Sequence, residues 1–174
     1  MAGRTRTPRP DERFDIQAIA AAAGLRFAEH PEPRIAERAD DPPPTLDQLG
    51  TWIESGRAWV AADDTDEPVG FVLVDVVDGL GHVEEIAVRP DRQGLGYGEA
   101  LLREAAIWCV ATSRPGLTLT TFADVEWNRP YYERRGFRVL DDDEIGPELA
   151  ARVKLEAEHG LDPDLRVCMR RDLD

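Results

Sequence analysis

The chain has 174 residues, 35 of them acidic and 21 basic, for a formal net charge of −14. That balance disfavours nucleic acid and anionic membranes as partners and mildly favours a cationic substrate such as an amine. Hydrophobic residues make up 42% of the chain without any run near the length that spans a bilayer, which excludes an integral membrane helix and suits one globular domain over 1–174.

Two cysteines, Cys109 and Cys168, stand without a C-x-x-C pair, and the basic first ten residues are not followed by an apolar stretch. A reducing, cytoplasmic location with no secretory leader is therefore the expectation. Lys154 is the only lysine, which we read as genome base composition and a bacterial origin. No cluster of His, Cys and carboxylates has metal-ligand spacing, and no Ser/His/Asp arrangement appears, so no metal is expected.

Taken in order, residues 1–10 offer a short edge strand over Arg4–Pro10 or disorder. Asp11 to about Glu29 reads as a helix, with Ile16, Ile19, Ala20 and Ala23 at helical spacing and Phe14, Leu25 and Phe27 as further apolar positions. Gly24 ends or bends it. His30–Pro44 holds Pro31, Pro33, Pro42, Pro43 and Pro44 and reads as a loop. Thr45 caps a second helix with Leu46, Leu49, Trp52 and Ile53 on one side and Gly56 at its end. Ala58–Ala62 and Val69–Val77 then read as strands of an antiparallel hairpin, and a second turn through Asp78–Gly81 leads to a central strand.

That strand opens the stretch His82–Leu102. Val83, Ile86, Ala87 and Val88 form a short buried run between Gly81 and Pro90, and Arg89–Gly98 is a turn. Leu101, Leu102, Ala105, Ala106, Trp108, Cys109 and Val110 then make the apolar face of a helix ending near Ser113. Gly94, Gly96 and Gly98 allow positive φ angles and close approach of backbone N–H groups, and the helix adds the positive end of its dipole; the combination suits a phosphate. Glu99 stands where a Walker A loop needs Lys, so that reading fails. The spacing G-x-G-x-G also departs from the dinucleotide fingerprint G-x-G-x-x-G, although Asp124 could imitate its ribose-binding acid.

Leu117–Phe122 follows as a strand reached by a parallel crossover, so the sheet is mixed. A short helix starts at Pro130 and ends at Gly136, Phe137–Leu140 is a strand, and Asp141–Glu144 turns away. Pro147–His159 reads as a helix with Leu149, Val153 and Ala157 on one face, and Leu165–Met169 closes the chain. The fold class is α/β, of the α+β mixed-sheet kind.

Gln93-Gly94-Leu95-Gly96-Tyr97-Gly98, after an I-A-V-R-P strand end, resembles the Q/R-x-x-G-x-G/A signature of the GNAT acetyltransferase superfamily. Asn128 and Tyr132-Glu133-Arg134-Arg135-Gly136-Phe137 resemble that family's Asn and its Y-x-x-x-G-F element, with only three residues between Asn128 and Tyr132. The resemblance implies a central, mostly antiparallel twisted sheet flanked by helices, with splayed central strands. It also implies acetyl-CoA as cosubstrate, its pyrophosphate on the N–H groups of Gln93, Gly94, Leu95, Gly96, Tyr97 and Gly98. The pantetheine arm would lie along the main chain of Ile86, Ala87 and Val88, with further contacts from Asn128 and Tyr132. The implied activity is N-acetylation of a primary amine on a small molecule or peptide, by a chain that is compatible with a homodimer.

Such a reaction poses two proton problems. Glu84 and Glu85 point to opposite faces of the central strand, so at most one faces the substrate; Glu85 is preferred as base, with Glu84 or a water as alternatives. By the same resemblance Tyr132 is the acid for the departing thiolate, which leaves Tyr131 as the ring packed in the core, unless the adjacent tyrosines of this short helix exchange these parts. His82 reads as a surface residue at a strand end, or else a base. Two other functions compete: a non-catalytic acyl-CoA-binding module of the same fold, and a dinucleotide-binding oxidoreductase. Acceptor specificity would sit in His30–Gly56 and Gly146–Asp164.

Overall fold

The structure, a computed structural model, describes residues 3–174. Seven strands form one sheet in the order β1-β2-β3-β4-β5-β7-β6. They are β1 (Thr5–Arg6), β2 (Ala58–Ala62), β3 (Pro68–Val77), β4 (Leu80–Val88), β5 (Gly116–Phe122), β6 (Arg138–Val139) and β7 (Arg166–Asp172). The α-helices are α1 (Arg13–Gly24), α2 (Pro33–Ala36), α3 (Leu46–Glu54), α4 (Tyr97–Ala111), α5 (Arg129–Glu133) and α6 (Pro147–Glu158). The pair β4–β5 is parallel, registered at Gly81↔Leu117 and His82↔Thr118, and α4 is its crossover. The mixed, mostly antiparallel sheet expected from the sequence is the one that forms.

By internal contacts the chain divides into two compact units, residues up to Val74 with Glu84–Glu104, and Asp75–Val83 with Ala105–Asp174. In the first unit, Ile16, Ile19 and Ala20 of α1 and Leu49 of α3 pack on Ala58, Val60, Phe71 and Leu73 of the sheet. A reciprocal capping box starts α3: Thr45 Oγ1 accepts the Gln48 N–H and the Gln48 side chain accepts the Thr45 N–H. The α-helical part of α1 stops at Gly24, and the turn of 3-10 helix beyond it leaves Leu25 exposed, as Phe14 is.

One expectation is corrected here and one open choice is decided. The His30–Pro44 loop contains α2, because Glu32 caps the Arg34 N–H and Pro33 supplies a first helical residue whose missing N–H costs nothing. Of the two options for Arg4–Pro10, the edge strand forms: β1 pairs with β2, and Arg4, Arg6 and Arg9 converge on Asp66. Met1 and Ala2 lie outside the described residues.

In the second unit the β3–β4 connection is Asp78–Gly79, with φ of 52° and 75°, the conformation that matches the twist of a two-residue hairpin. β5 and β7 pair antiparallel along their whole length, from Gly116↔Asp172 to Phe122↔Arg166. That pairing carries β7 three residues past the expected Met169. Leu149 of α6 packs in one cluster with Val77, Leu140 and Cys168, and Val153 of the same helix packs against it. The N-terminus of α6 is capped from the β3–β4 turn, where the Asp78 carboxylate accepts the N–H groups of Glu148 at 2.9 Å and Leu149 at 3.0 Å. The Glu148 carboxylate accepts the Asp78 N–H in return.

Two further expectations fall in this unit. Val110 is exposed, turned outward with Ile107, so the buried stripe of α4 is narrower than its apolar composition suggests. His82 is no surface residue: it lies inside β4, 1% exposed, with Nδ1 2.9 Å from Thr118 Oγ1. Burial, reinforced by the Arg152 charge, holds its pKa down to about 4, so it stays neutral at pH 7.

Candidate functional site

The first unit brings together the end of β4, the glycine loop and the start of α4. After Val88, Pro90 opens a turn of 3-10 helix over Pro90–Arg92. Gly94 and Gly96 then take φ of +76° and +88°, angles that any side chain would oppose. Nothing lies within 4 Å of a Cβ built at Gly94, so the glycine is required there by backbone conformation and the space beside it is open. Tyr97, buried to 5% exposure, is the first residue of α4. Its ring anchors the helix start, so Tyr97 can offer a ligand only its main chain. Leu95 is exposed.

A helix beginning at Tyr97 leaves its first N–H groups without carbonyl partners inside the helix, and these face the same end as the loop. The result is a cradle of backbone donors with little side-chain bulk, which fits an anionic phosphate group. Two arginines precede it in the chain and a third contacts its first residue. Arg89 is paired with Asp91 at 2.9 Å and Arg92 with Asp63 at 3.5 Å. Arg26 donates from Nη1 to Gln93 Oε1 at 2.8 Å. Arg26 lies 67 positions from Gln93 and no sequence motif links them; the turn after α1 delivers it.

Upstream on β4, the two-residue period sets Glu85 on the face of Ala87, which packs against the core cluster of this unit. Glu84, Ile86 and Val88 take the other face. Glu85 is half-buried, and burial, with the neighbouring Glu84 carboxylate adding to it, raises its pKa to about 7. A carboxyl poised near neutrality can accept a proton and release it again at physiological pH, as general bases do.

The remaining two residues predicted for the site belong to the second unit. Asn128 precedes α5, and its main-chain carbonyl accepts the Tyr132 N–H at 3.1 Å. Its side chain makes no capping bond, so the amide is not used as a helix cap. Tyr132 is the buried ring of the tyrosine pair, 9% exposed, edge-on to Tyr131 at 5.2 Å and to Phe137 at 5.8 Å. The expected assignment is thereby reversed: Tyr131 is half-buried and carries the Arg135 guanidinium 3.6 Å above its ring centroid. Burial pushes the Tyr132 hydroxyl well above the usual phenol range, with Tyr131 adding to it, so it holds its proton across all physiological pH. Among the described residues no group of three or more His, Cys, Asp or Glu is arranged to hold a metal ion, and no helix is long and apolar enough to cross a membrane.

A mixed, mostly antiparallel sheet with one parallel crossover and helices on its flanks defines an α/β protein. Residues 22–137 match the family model described as acetyltransferase (GNAT) family, and the chain belongs to that family. It is 33% identical over 97 residues to the peptidyl-lysine N-acetyltransferase YjaB of Salmonella typhimurium, a match covering 56% of this chain and 61% of that protein. It is 31% identical over 133 residues to the mycothiol acetyltransferase of Streptomyces avermitilis, covering 74% of this chain and 41% of that one. The chain thus spans less than two thirds of the length of these relatives. In fold it is similar to the PaiA N-acetyltransferase of Thermoplasma acidophilum solved in complex with coenzyme A, with a TM-score of 0.72 at 14% identity over 99% of each chain.

Proposed function

We propose that the chain, acting over 1–174 as a single N-acetyltransferase domain in the bacterial cytoplasm, transfers the acetyl group of acetyl-CoA to a primary amine. The observation that carries this reading is the cradle at Gly94–Gly98, with two left-handed glycines just before α4, in the loop that follows the strand holding the neutral-range carboxyl of Glu85. Acetyl-CoA supplies the activated thioester. The N–H groups of Gln93–Gly98 hold its pyrophosphate, and the main chain of Ile86, Ala87 and Val88 takes the pantetheine arm as an added strand. Glu85 takes the proton of the incoming ammonium so that the nitrogen lone pair is free to attack. Tyr132, whose burial keeps it protonated, gives its proton to the departing thiolate. Asn128, with an amide not spent on capping, is a further ligand of the cosubstrate. The acceptor is a small molecule or a peptide, the two classes that the names of the relatives contain.

Calorimetric titration with acetyl-CoA, beside desulfo-CoA, NAD and ATP, tests the first half. Micromolar binding of acetyl-CoA without NAD or ATP is expected, and a preference for NAD, or no binding of acetyl-CoA, overturns the reading. For the chemistry, Tyr132→Phe should keep acetyl-CoA affinity and lower kcat by about tenfold to a thousandfold, the range of a lost proton donor. Full kcat in that variant removes the acid role.

A further inference from the structure

The second unit contains a cavity of about 450 Å³, within the size range of small-molecule sites. Its floor is the β5–β7 part of the sheet and its roof is α6. One side is apolar, formed by Leu140, Ile145 and Val153. The other holds a polar cluster that the reaction proposed above does not use. Thr120 Oγ1 donates to the Glu156 carboxylate, with both oxygens within 3.0 Å, and accepts from Arg166 Nη2 at 2.9 Å.

The charge of the cluster is not balanced. Arg166 lies 3.5 Å from Glu156 and is further held under the Phe122 ring at 4.9 Å, so its charge is committed to the floor. Asp142 adds a second carboxylate at the wall. Two carboxylates and one guanidinium line the cavity, and a carboxylate can accept about four hydrogen bonds, so Glu156 retains capacity for another donor. The Cys168 thiol on the floor registers the same field: burial chiefly, then Glu156, pushes it up to about 11.

We propose that the cavity beneath α6 is a binding site for an apolar primary amine, its hydrocarbon body against Leu140, Ile145 and Val153 and its ammonium on Glu156 and Asp142. The site belongs wholly to the second unit and does not depend on acetyl-CoA.

The test is a calorimetric titration of the full chain, without acetyl-CoA, with 2-phenylethylamine and its neutral and anionic counterparts 2-phenylethanol and 3-phenylpropanoate. The amine should bind at least tenfold more tightly than either. Glu156→Gln should weaken the amine about tenfold, the order expected for loss of a charge-assisted contact, and leave the alcohol unchanged. Val153→Trp, which fills the apolar half, should abolish binding of the amine. Equal binding of the three compounds to the unmodified chain, or none of the amine, overturns the proposal without recourse to any variant. Loss of acetyl-CoA binding in a parallel titration would instead count against the acetyltransferase reading alone.

Discussion

Glu85→Gln separates a carboxyl that is shifted by its surroundings from an ordinary surface glutamate. The side chain titrates at about 7 in the fold against 4.5 in the unfolded chain, so the folded state binds its proton more tightly. Such a group stabilises the fold fully below pH 4.5, and that contribution is lost as pH rises through 7. The complete shift corresponds to about 3 kcal/mol, and partial exposure to water reduces this to about 2 kcal/mol. Glutamine carries the shape of the protonated carboxyl and never ionises. At pH 4 the variant and the parent should therefore melt together, and at pH 9 the variant should melt about 4–8 °C higher, at the roughly 2–4 °C per kcal/mol of a chain this size. Differential scanning calorimetry at the two pH values reads this directly, without any need for a substrate. Glu84→Gln should shift the parent's titration to lower pH, since it removes the adjacent charge. A Tm difference between Glu85→Gln and parent that is the same at pH 4 and pH 9 would refute the argument, and the assignment of Glu85 as base with it.

Two other predictions concern contacts inside the second unit. A Cβ at Gly81 would stand 2.3 Å from Cys109 Sγ and 3.2 Å from Leu117 Cδ1, so Gly81→Ala should cost about 1–3 kcal/mol in urea unfolding. Adding Cys109→Ala should recover at least ~1 kcal/mol of that loss as a coupling; strict additivity of the two changes would rule out the clash. Asp78→Ala removes both acceptors of the α6 cap, and should lower stability by about 1 kcal/mol and speed amide exchange in Pro147–Glu158. Unchanged exchange there would show that α6 is held by packing alone.

What the sequence displayed, and what it hid, divides along the range of the forces involved. Elements set by neighbours in the chain were legible: the Thr45 cap, the Asp78–Gly79 hairpin, the glycine loop and the helix after it all rest on contacts within a few residues. The α2 turn is not legible because prolines that break a helix from within also begin one, and only the Glu32 cap decides between the two. The burial of His82 is hidden for a related reason. A histidine at the edge of an apolar run looks like a boundary, and its burial requires Thr118, 36 residues away, to satisfy the ring nitrogen.

The tyrosines carry that reasoning into the chemistry. A Y-Y pair on a helix of five residues contains no pattern that says which ring turns inward; the edge contact with Phe137 turns Tyr132 in, and Arg135 covers Tyr131. The residue that the family signature marks as the acid is therefore also the buried one, and burial is what keeps a phenol protonated. In Glu85 the same cause acts with the opposite use, since burial brings a carboxyl up to the range where it can take a proton at pH 7. The family signature points to Tyr132 and the strand period to Glu85, but whether each could hold or take up a proton in the proposed reaction is a property of the packing around it.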